Sequence, residues 1–225
     1  MCFSPHVSII TSLVEFAIGT IILLRFRRSI VSRFTALFIF ILGFYQLTEF
    51  MLCTSDNFVL WGSLGFIAYT LLPAVGLHFA LRLIHSKRKP LPLYVPALIF
   101  AMLPLSQERF VTGGTCHAVF ITVRNILLNP GNVLFFIYFL YYFGYISIAC
   151  CLIWNRCKKE RNRMRRRLYL IGISAVLIST LPALLFIAIF PAYRIMFPSI
   201  YCEFALVFAI TGYIAASLDD KYSLS

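Results

Sequence analysis

Seven apolar segments, each close to the thickness of a bilayer, constrain this 225-residue chain more than any other feature. A membrane-spanning helix needs about 20 mostly apolar residues. The segments that qualify are 5–24, 34–53, 58–82, 91–106, 131–154, 168–190 and 195–218. Only 12% of the residues are charged, which excludes a soluble globular domain and a disordered chain. We therefore predict an all-α integral membrane protein, a seven-transmembrane helix bundle that forms one domain over residues 1–225.

The basic residues lie almost entirely in alternate connections between these segments. All but three of the 20 Lys and Arg residues fall in the first, third and fifth connections and in the C-terminal tail. Cytoplasmic loops of membrane proteins collect Lys and Arg. This pattern predicts an N-terminus outside the cell and a cytoplasmic C-terminus, in a multi-pass protein of the plasma membrane. The net charge of +12 is thus explained by basic cytoplasmic loops, and we expect no nucleic-acid partner.

The long connection 107–130 then lies outside the cell. Its alternating run 117–123 suits a short hairpin or an interfacial helix.

The fifth connection carries eight of these basic residues within positions 156–167, which we call the basic connection. Its simplest role is to fix topology. Arg156 to Arg167 would also attract anionic lipid headgroups, at about 1 kcal/mol per residue near the surface. A docking surface for a cytoplasmic effector protein is the second possibility.

Three carboxylates, Glu15, Glu49 and Glu203, lie within the predicted spans. A charge in hydrocarbon is costly, so such residues usually face a cavity or a partner and are functional candidates by default. If they approach one another, desolvation and mutual repulsion both favour the protonated form. We predict that the three acids line an outward-facing polar pocket. The alternative is three separate neutral acids, each bonded to a neighbour such as Gln46.

Tyrosines and small residues form stripes at helical spacing. Tyr in a membrane interior needs a partner for its hydroxyl. The fifth span carries Tyr138, Tyr141, Tyr142 and Tyr145. They form either a packed aromatic face or, for Tyr138, Tyr141 and Tyr145, part of the ligand pocket. The seventh span carries Cys202, Ala205, Ala209, Gly212 and Ala216, a pattern typical of helix packing in lipid.

Cysteine and histidine residues collect on the predicted outer side. The disulfide candidates are Cys2, Cys53, Cys116 and Cys202, since the exterior is oxidising. Cys and His four residues apart also suit zinc or copper. The metal candidates are Cys2, His6, Cys116 and His117. The residues leave open unpaired thiols, one or two disulfides, or a metal site, and they identify no cofactor.

Two resemblances emerge from short stretches of the sequence. The opening Met1-Cys2-Phe3-Ser4, the run 46–49 and the run 201–205 resemble an uncharacterised prokaryotic membrane-protein family. Glu203 departs from the aromatic-Cys-aromatic pattern of that family's last helix. The stretch 34–73, the run 78–82, and Pro130-Gly131 before a Tyr-rich helix resemble the amino-terminal seven-transmembrane sensory region of bacterial histidine kinases and diguanylate cyclases. This second resemblance implies a module that senses a ligand and passes a signal inward.

The leading functional prediction is a ligand-sensing or ligand-binding membrane module. No kinase or cyclase sequence follows the last span, so we expect the signal to pass to a separate partner. The motifs of soluble hydrolases, P-loop proteins and zinc proteases do not occur, so the sequence gives no positive sign of an enzyme. The alternatives are an intramembrane enzyme or metal-dependent protein that uses the outer Cys and His residues, and a small proton-coupled transporter.

Overall fold

The computed structural model describes residues 4–26, 29–86, 89–107, 110–116, 121–128, 132–189 and 205–222. These residues are mostly helical, as predicted. The helices are α1 (Ser4–Arg25), α2 (Ile30–Thr54), α3 (Phe58–Leu83), α4 (Leu91–Ser106), α5 (Val133–Lys159), α6 (Arg163–Ile189) and α7 (Ala205–Tyr222). A hairpin of β1 (Val111–Cys116) and β2 (Ile121–Asn125), followed by a 3-10 turn (Ile126–Leu128), connects α4 to α5.

Four of the described helices are long and apolar enough to cross a bilayer. They are His6–Arg25, Ile30–Thr54, Phe58–Leu83 and Val133–Lys159, while Leu91–Ser106 is apolar but shorter. Large apolar side chains on the outside of the bundle are strongly exposed, for example Leu13 at 61% and Leu140 at 70%. Exposed apolar surface on this scale suits contact with lipid. The chain is therefore a multi-pass membrane protein, although the prediction of seven spans with this orientation goes beyond the four qualifying helices.

Side-chain caps fix where several helices begin. Ser29 accepts a hydrogen bond from the Ser32 amide at 3.1 Å and starts α2. Asn57 accepts from the Leu60 amide at 3.1 Å and starts α3. Such caps satisfy amides that have no partner inside the helix. Pro92, in the first turn of α4, occupies a position where a missing N–H is harmless.

Five of the described helices form a ring, and the other two pack outside it. Successive contacts join α2 to α3, α3 to α5, α5 to α6, α6 to α7 and α7 back to α2. Outside this ring, α1 packs on α2 and α7, and α4 packs on α3. Small residues permit the close approaches: an added Cβ at Gly65 of α3 would lie 2.8 Å from Thr48 Oγ1 of α2. This packing suits helices that gain no hydrophobic energy by leaving lipid.

The described part of the long connection 107–130 forms the hairpin, one of the two structures expected for the run 117–123, of which residues 117–120 lie outside the described residues. β1 and β2 are antiparallel, with Gly114 opposite Val123 and an irregularity between Val111 and Gly113. The hairpin lies against α3, because a Cβ added at Gly62 would meet Val111 and Val123 side-chain carbons at 3.2–3.4 Å. The ring of Phe110 also packs on Phe66, with centroids 4.8 Å apart. The hairpin is therefore docked on one end of the bundle, which we call the hairpin side; the opposite end is the basic side.

Candidate functional site

A stripe of buried polar residues runs along α1 and continues on the hairpin-side half of α2. We call this stripe the polar layer; its members are Ser8, Thr11, Ser12, Glu15, Gln46, Thr48 and Glu49. Glu15 is fully buried. Ser12 donates a hydrogen bond from Oγ to the Gly43 carbonyl oxygen at 2.7 Å. A Cβ at Gly43 would lie 3.3 Å from Glu15 Cβ, so the glycine lets Glu15 enter the α1–α2 interface.

Glu15 is the most unusual member of the polar layer. Among the described residues, neither of its carboxyl oxygens has a hydrogen-bond partner, and the same holds for Ser8 Oγ. Ser8 and Glu15 are seven residues apart on α1 and so share a face. A buried polar group without a partner costs about 1–3 kcal/mol. Each such group in a folded protein needs an explanation, and an ion that completes the hydrogen bonding is one.

Glu49 is also buried, but it occupies a separate level of α2. Its Oε1 atom accepts a hydrogen bond from the Tyr45 hydroxyl at 2.9 Å. Glu49 is six residues beyond Gly43, which corresponds to about 9 Å along the axis and about a third of a turn around it. Gln46 lies midway between these two levels. Glu15 and Glu49 therefore meet α2 at different levels, and Glu203 lies outside the described residues.

The tyrosines of α5 pack against α3 and α4. Tyr138 shares a hydrogen bond of 3.0 Å with the Thr70 hydroxyl. Tyr141 donates to the Thr70 carbonyl oxygen at 2.7 Å. Tyr145 is half-buried, with its ring centroid 4.9 Å from that of Tyr141. The packed aromatic face, which was one of the two expectations, is what these contacts describe.

A chain of aromatic contacts, which we call the aromatic link, joins the polar layer to the hairpin. The Tyr45 ring, whose hydroxyl holds Glu49, packs edge-on against Tyr69 of α3 with centroids 5.8 Å apart. Tyr69 in turn bonds to the side chain of Asn125, a residue of β2 that is 4% exposed. Contacts thus run from Glu49 to the hairpin without interruption.

Two of the four disulfide candidates are joined to each other. Cys53, at the end of α2, forms a disulfide with Cys116, at the end of β1, with Cα atoms 5.9 Å apart. A disulfide-bonded Cys116 offers no thiolate to a metal in this structure. His6 is exposed, and within the described ranges no three His, Cys, Asp or Glu side chains cluster as metal ligands. Cys2, Cys202 and His117 lie outside the described residues.

A cavity of about 100 Å³ lies inside the five-helix ring, on the basic side of the polar layer. Every helix of the ring contributes to its wall, and none of the predicted ligand-binding residues that the structure describes lines it. Typical lining residues are Phe38, Gly76, Ile146, Gly172, Phe208 and Gly212. The sequence contained one signal in Gly212 of α7, which helical spacing assigned only to packing.

Asp219 is a second feature that the sequence did not predict, because the last apolar segment ends at residue 218 and leaves Asp219 in the tail. It is 1% exposed, near the end of α7. Ser29, the cap of α2, donates a short hydrogen bond from Oγ to Asp219 Oδ2. The available signal was the spacing of the small residues of α7, since Asp219 follows Ala216 by three and Gly212 by seven. The same face therefore places Asp219 against α2.

The basic connection forms a solvent-exposed cationic surface. It joins α5, which ends at Lys159, to α6, which begins at Arg163. Most of its Lys and Arg side chains are exposed. Lys158 lies 5.2 Å from the ring centre of Trp154, a residue type enriched at membrane interfaces.

The comparison with protein families agrees with this architecture. The family described as the N-terminal 7TM region of histidine kinase matches residues 7–219, nearly the whole chain. The chain belongs to this family. Neither the curated proteins nor the solved structures include a significant match to it. Membership in a histidine-kinase 7TM region is consistent with a membrane sensing module that works with a cytoplasmic kinase or effector.

Proposed function

We propose that this histidine-kinase-type 7TM region binds a ligand at the polar layer and signals to a separate cytoplasmic partner. The proposed topology has seven spans, with the hairpin side outside the cell and the basic side in the cytoplasm. Two arguments support it: the asymmetric distribution of Lys and Arg, and the Cys53–Cys116 disulfide, which suits an oxidising exterior.

The state of Glu15 is the observation that carries the proposal. Glu15 is fully buried between α1 and α2, and its two oxygens lack partners among the described residues. A purely structural role would favour an apolar side chain here, because an unsatisfied carboxyl only costs free energy. A binding role explains the carboxyl, since a ligand supplies the missing hydrogen bonds. The aromatic link to Glu49 extends the proposed site.

The polar groups of the proposed site indicate the class of ligand. A carboxyl group and the hydroxyl of Ser8, both lacking partners among the described residues, offer mainly acceptor oxygens. These atoms suit a ligand rich in hydrogen-bond donors, above all a small ammonium ion. The polar layer is therefore proposed to bind an ammonium-type cation, with Glu15 as its counter-charge.

Coupling to the partner is proposed to run through α2. This helix carries Gly43 and Glu49 on the hairpin side, and its first turn is held by Ser29 and Asp219 on the basic side. A shift of α2 at the polar layer would therefore reach the end of α7. The partner would dock at the basic connection, where anionic lipid headgroups also bind.

Ligand-dependent thermal stability tests the proposal. A ligand that binds the folded state raises the unfolding midpoint, by an amount equivalent to about 2.7 kcal/mol at 100 times Kd. We expect methylammonium chloride to raise the midpoint of the purified protein above that in sodium chloride at equal ionic strength. Glu15→Gln removes the charge with little change in volume and is expected to abolish this response.

Glu160→Gln is the matched control, because Glu160 caps the end of α5 at the basic connection, on the side of the bundle opposite the polar layer. It should respond like the wild type. An equal response in the Glu15→Gln variant, or none in the wild type, would refute the proposal. Proton-coupled uptake of methylammonium into liposomes would assign the same site to a transporter instead.

A further inference from the structure

The five-helix cavity differs from the polar layer in position and chemistry. It lies on the basic side, between Leu42 of α2 and the apolar cluster that includes Leu83 and Ile153. The walls are almost entirely apolar. The hydroxyl of Thr211, one of the few polar groups there, is already bonded to the Val207 and Phe208 carbonyl oxygens of its own helix.

These walls disfavour water as the occupant. A buried water needs two to four polar partners, whereas apolar cavities of about 150 Å³ in other proteins stay dry and bind benzene or xenon. The present cavity, at about 100 Å³, belongs to the same size range.

The cavity is built by backbone features that keep side chains out of it. Pro73 interrupts the hydrogen-bond pattern of α3 beside the cavity. Gly172 of α6 presents bare backbone there, and a Cβ added to it meets nothing within 4 Å. A void that a single methyl group would begin to fill costs packing energy. The presence of such a void at the centre of the ring therefore favours a binding role for it.

We propose that the five-helix cavity is a second binding site, specific for small neutral apolar solutes up to the size of one aromatic ring. This site does not depend on the proposed function of the polar layer. α7 forms one wall, through Phe208 and Gly212 among others, so an occupant contacts the last described helix of the sensory region directly. Such a solute reaches the site from the bilayer, where neutral apolar molecules concentrate.

Gly172 and Gly144 provide a matched pair for the test. An added Cβ meets nothing within 4 Å at either position, but only Gly172 lines the cavity. Gly172→Leu should fill the cavity, and Gly144→Leu should leave it open. Gly172→Ala, with Gly144→Ala as its control, repeats the comparison with a smaller side chain in case the leucine variants do not fold.

The experiment measures the unfolding midpoint of the purified full chain in detergent, with and without saturating benzene. We expect benzene to raise the midpoint of the wild type and of Gly144→Leu, and to have no stabilising effect on Gly172→Leu. A xenon-129 NMR signal for protein-bound xenon should follow the same order. Equal shifts in all three proteins would mean partition into the micelle, and no shift in the wild type would mean no site; either result overturns the proposal.

Discussion

Gly212 is the residue at which α7 crosses α2, and its substitution gives the most discriminating test of the packing. A Cβ added there would fall well inside contact distance of Thr35 Cγ2. Both residues are buried, so neither is free to swing into solvent. Gly212→Ala therefore requires Thr35 or the α7 backbone to move.

Two opposing effects set the change in unfolding free energy that Gly212→Ala causes. Replacing Gly by Ala inside a helix stabilises by about 0.5–1 kcal/mol, because the unfolded chain loses conformational freedom. Overpacking a buried contact costs about 1–3 kcal/mol. We expect Gly212→Ala to destabilise the protein by about 0.5–2 kcal/mol in the wild-type background.

Thr35→Ser removes the methyl group that would clash and should cost about 1 kcal/mol by itself. When Gly212→Ala is combined with Thr35→Ser, the steric term disappears, so the glycine substitution is expected to become stabilising by about 0.5–1 kcal/mol. The stability effect of Gly212→Ala is thus expected to change sign when one methyl group on the neighbouring helix is removed.

A double-mutant cycle measures this coupling. Unfolding free energies would be obtained for the wild type, both single variants and the double variant in the same detergent. Gly144→Ala serves as the control, since nothing lies within 4 Å of its added Cβ, and its effect should be equal with and without Thr35→Ser. A Gly212→Ala substitution that still destabilises the Thr35→Ser variant, or additive effects, would refute the assigned helix contact.

Three further outcomes follow from the contacts. The Cys53–Cys116 disulfide joins residues with a sequence separation of 63, so its reduction should lower the unfolding free energy by at most about 4 kcal/mol. Dithiothreitol should therefore lower the unfolding midpoint of the wild type but not that of a Cys53→Ser/Cys116→Ser variant. Ser29→Ala, which removes both the cap of α2 and the bond to Asp219, should cost about 1–2 kcal/mol in denaturant titrations, whereas Asp219→Asn keeps an acceptor and should cost less; equal losses would contradict this. Tyr141→Phe should lower stability by about 1 kcal/mol in the same titrations, and an unchanged midpoint would show that its bond to α3 contributes nothing.

The fold class was readable from the sequence because apolar length is a local property. The segment 91–106 coincides with α4, and the segment 58–82 differs from α3 by a single residue. The boundaries of α2 and α5 were less accurate, since both helices continue past the apolar core into capped or basic ends at Ser29 and Lys159. Hydropathy detects burial in lipid, whereas hydrogen bonding determines where a helix stops.

Within the candidate site, the sequence identified the individual groups that are costly to bury. Glu15 and Glu49 stood out because a carboxyl in an apolar segment needs a reason. Their relation to each other depends on which residue of α2 faces α1, and Gly43 decides that through contacts between residues far apart in the chain.

What the sequence alone determined is thus the membrane character, the helical class and the presence of buried acids. Only the tertiary structure decided that Cys53 pairs with Cys116, that Asp219 bonds to the start of α2, and that glycines of three helices line one cavity. The physical reason is that composition and periodicity fix the environment of each residue separately. Pairings and voids arise from the mutual placement of whole helices, which steric fit and hydrogen bonding select only once the bundle has assembled.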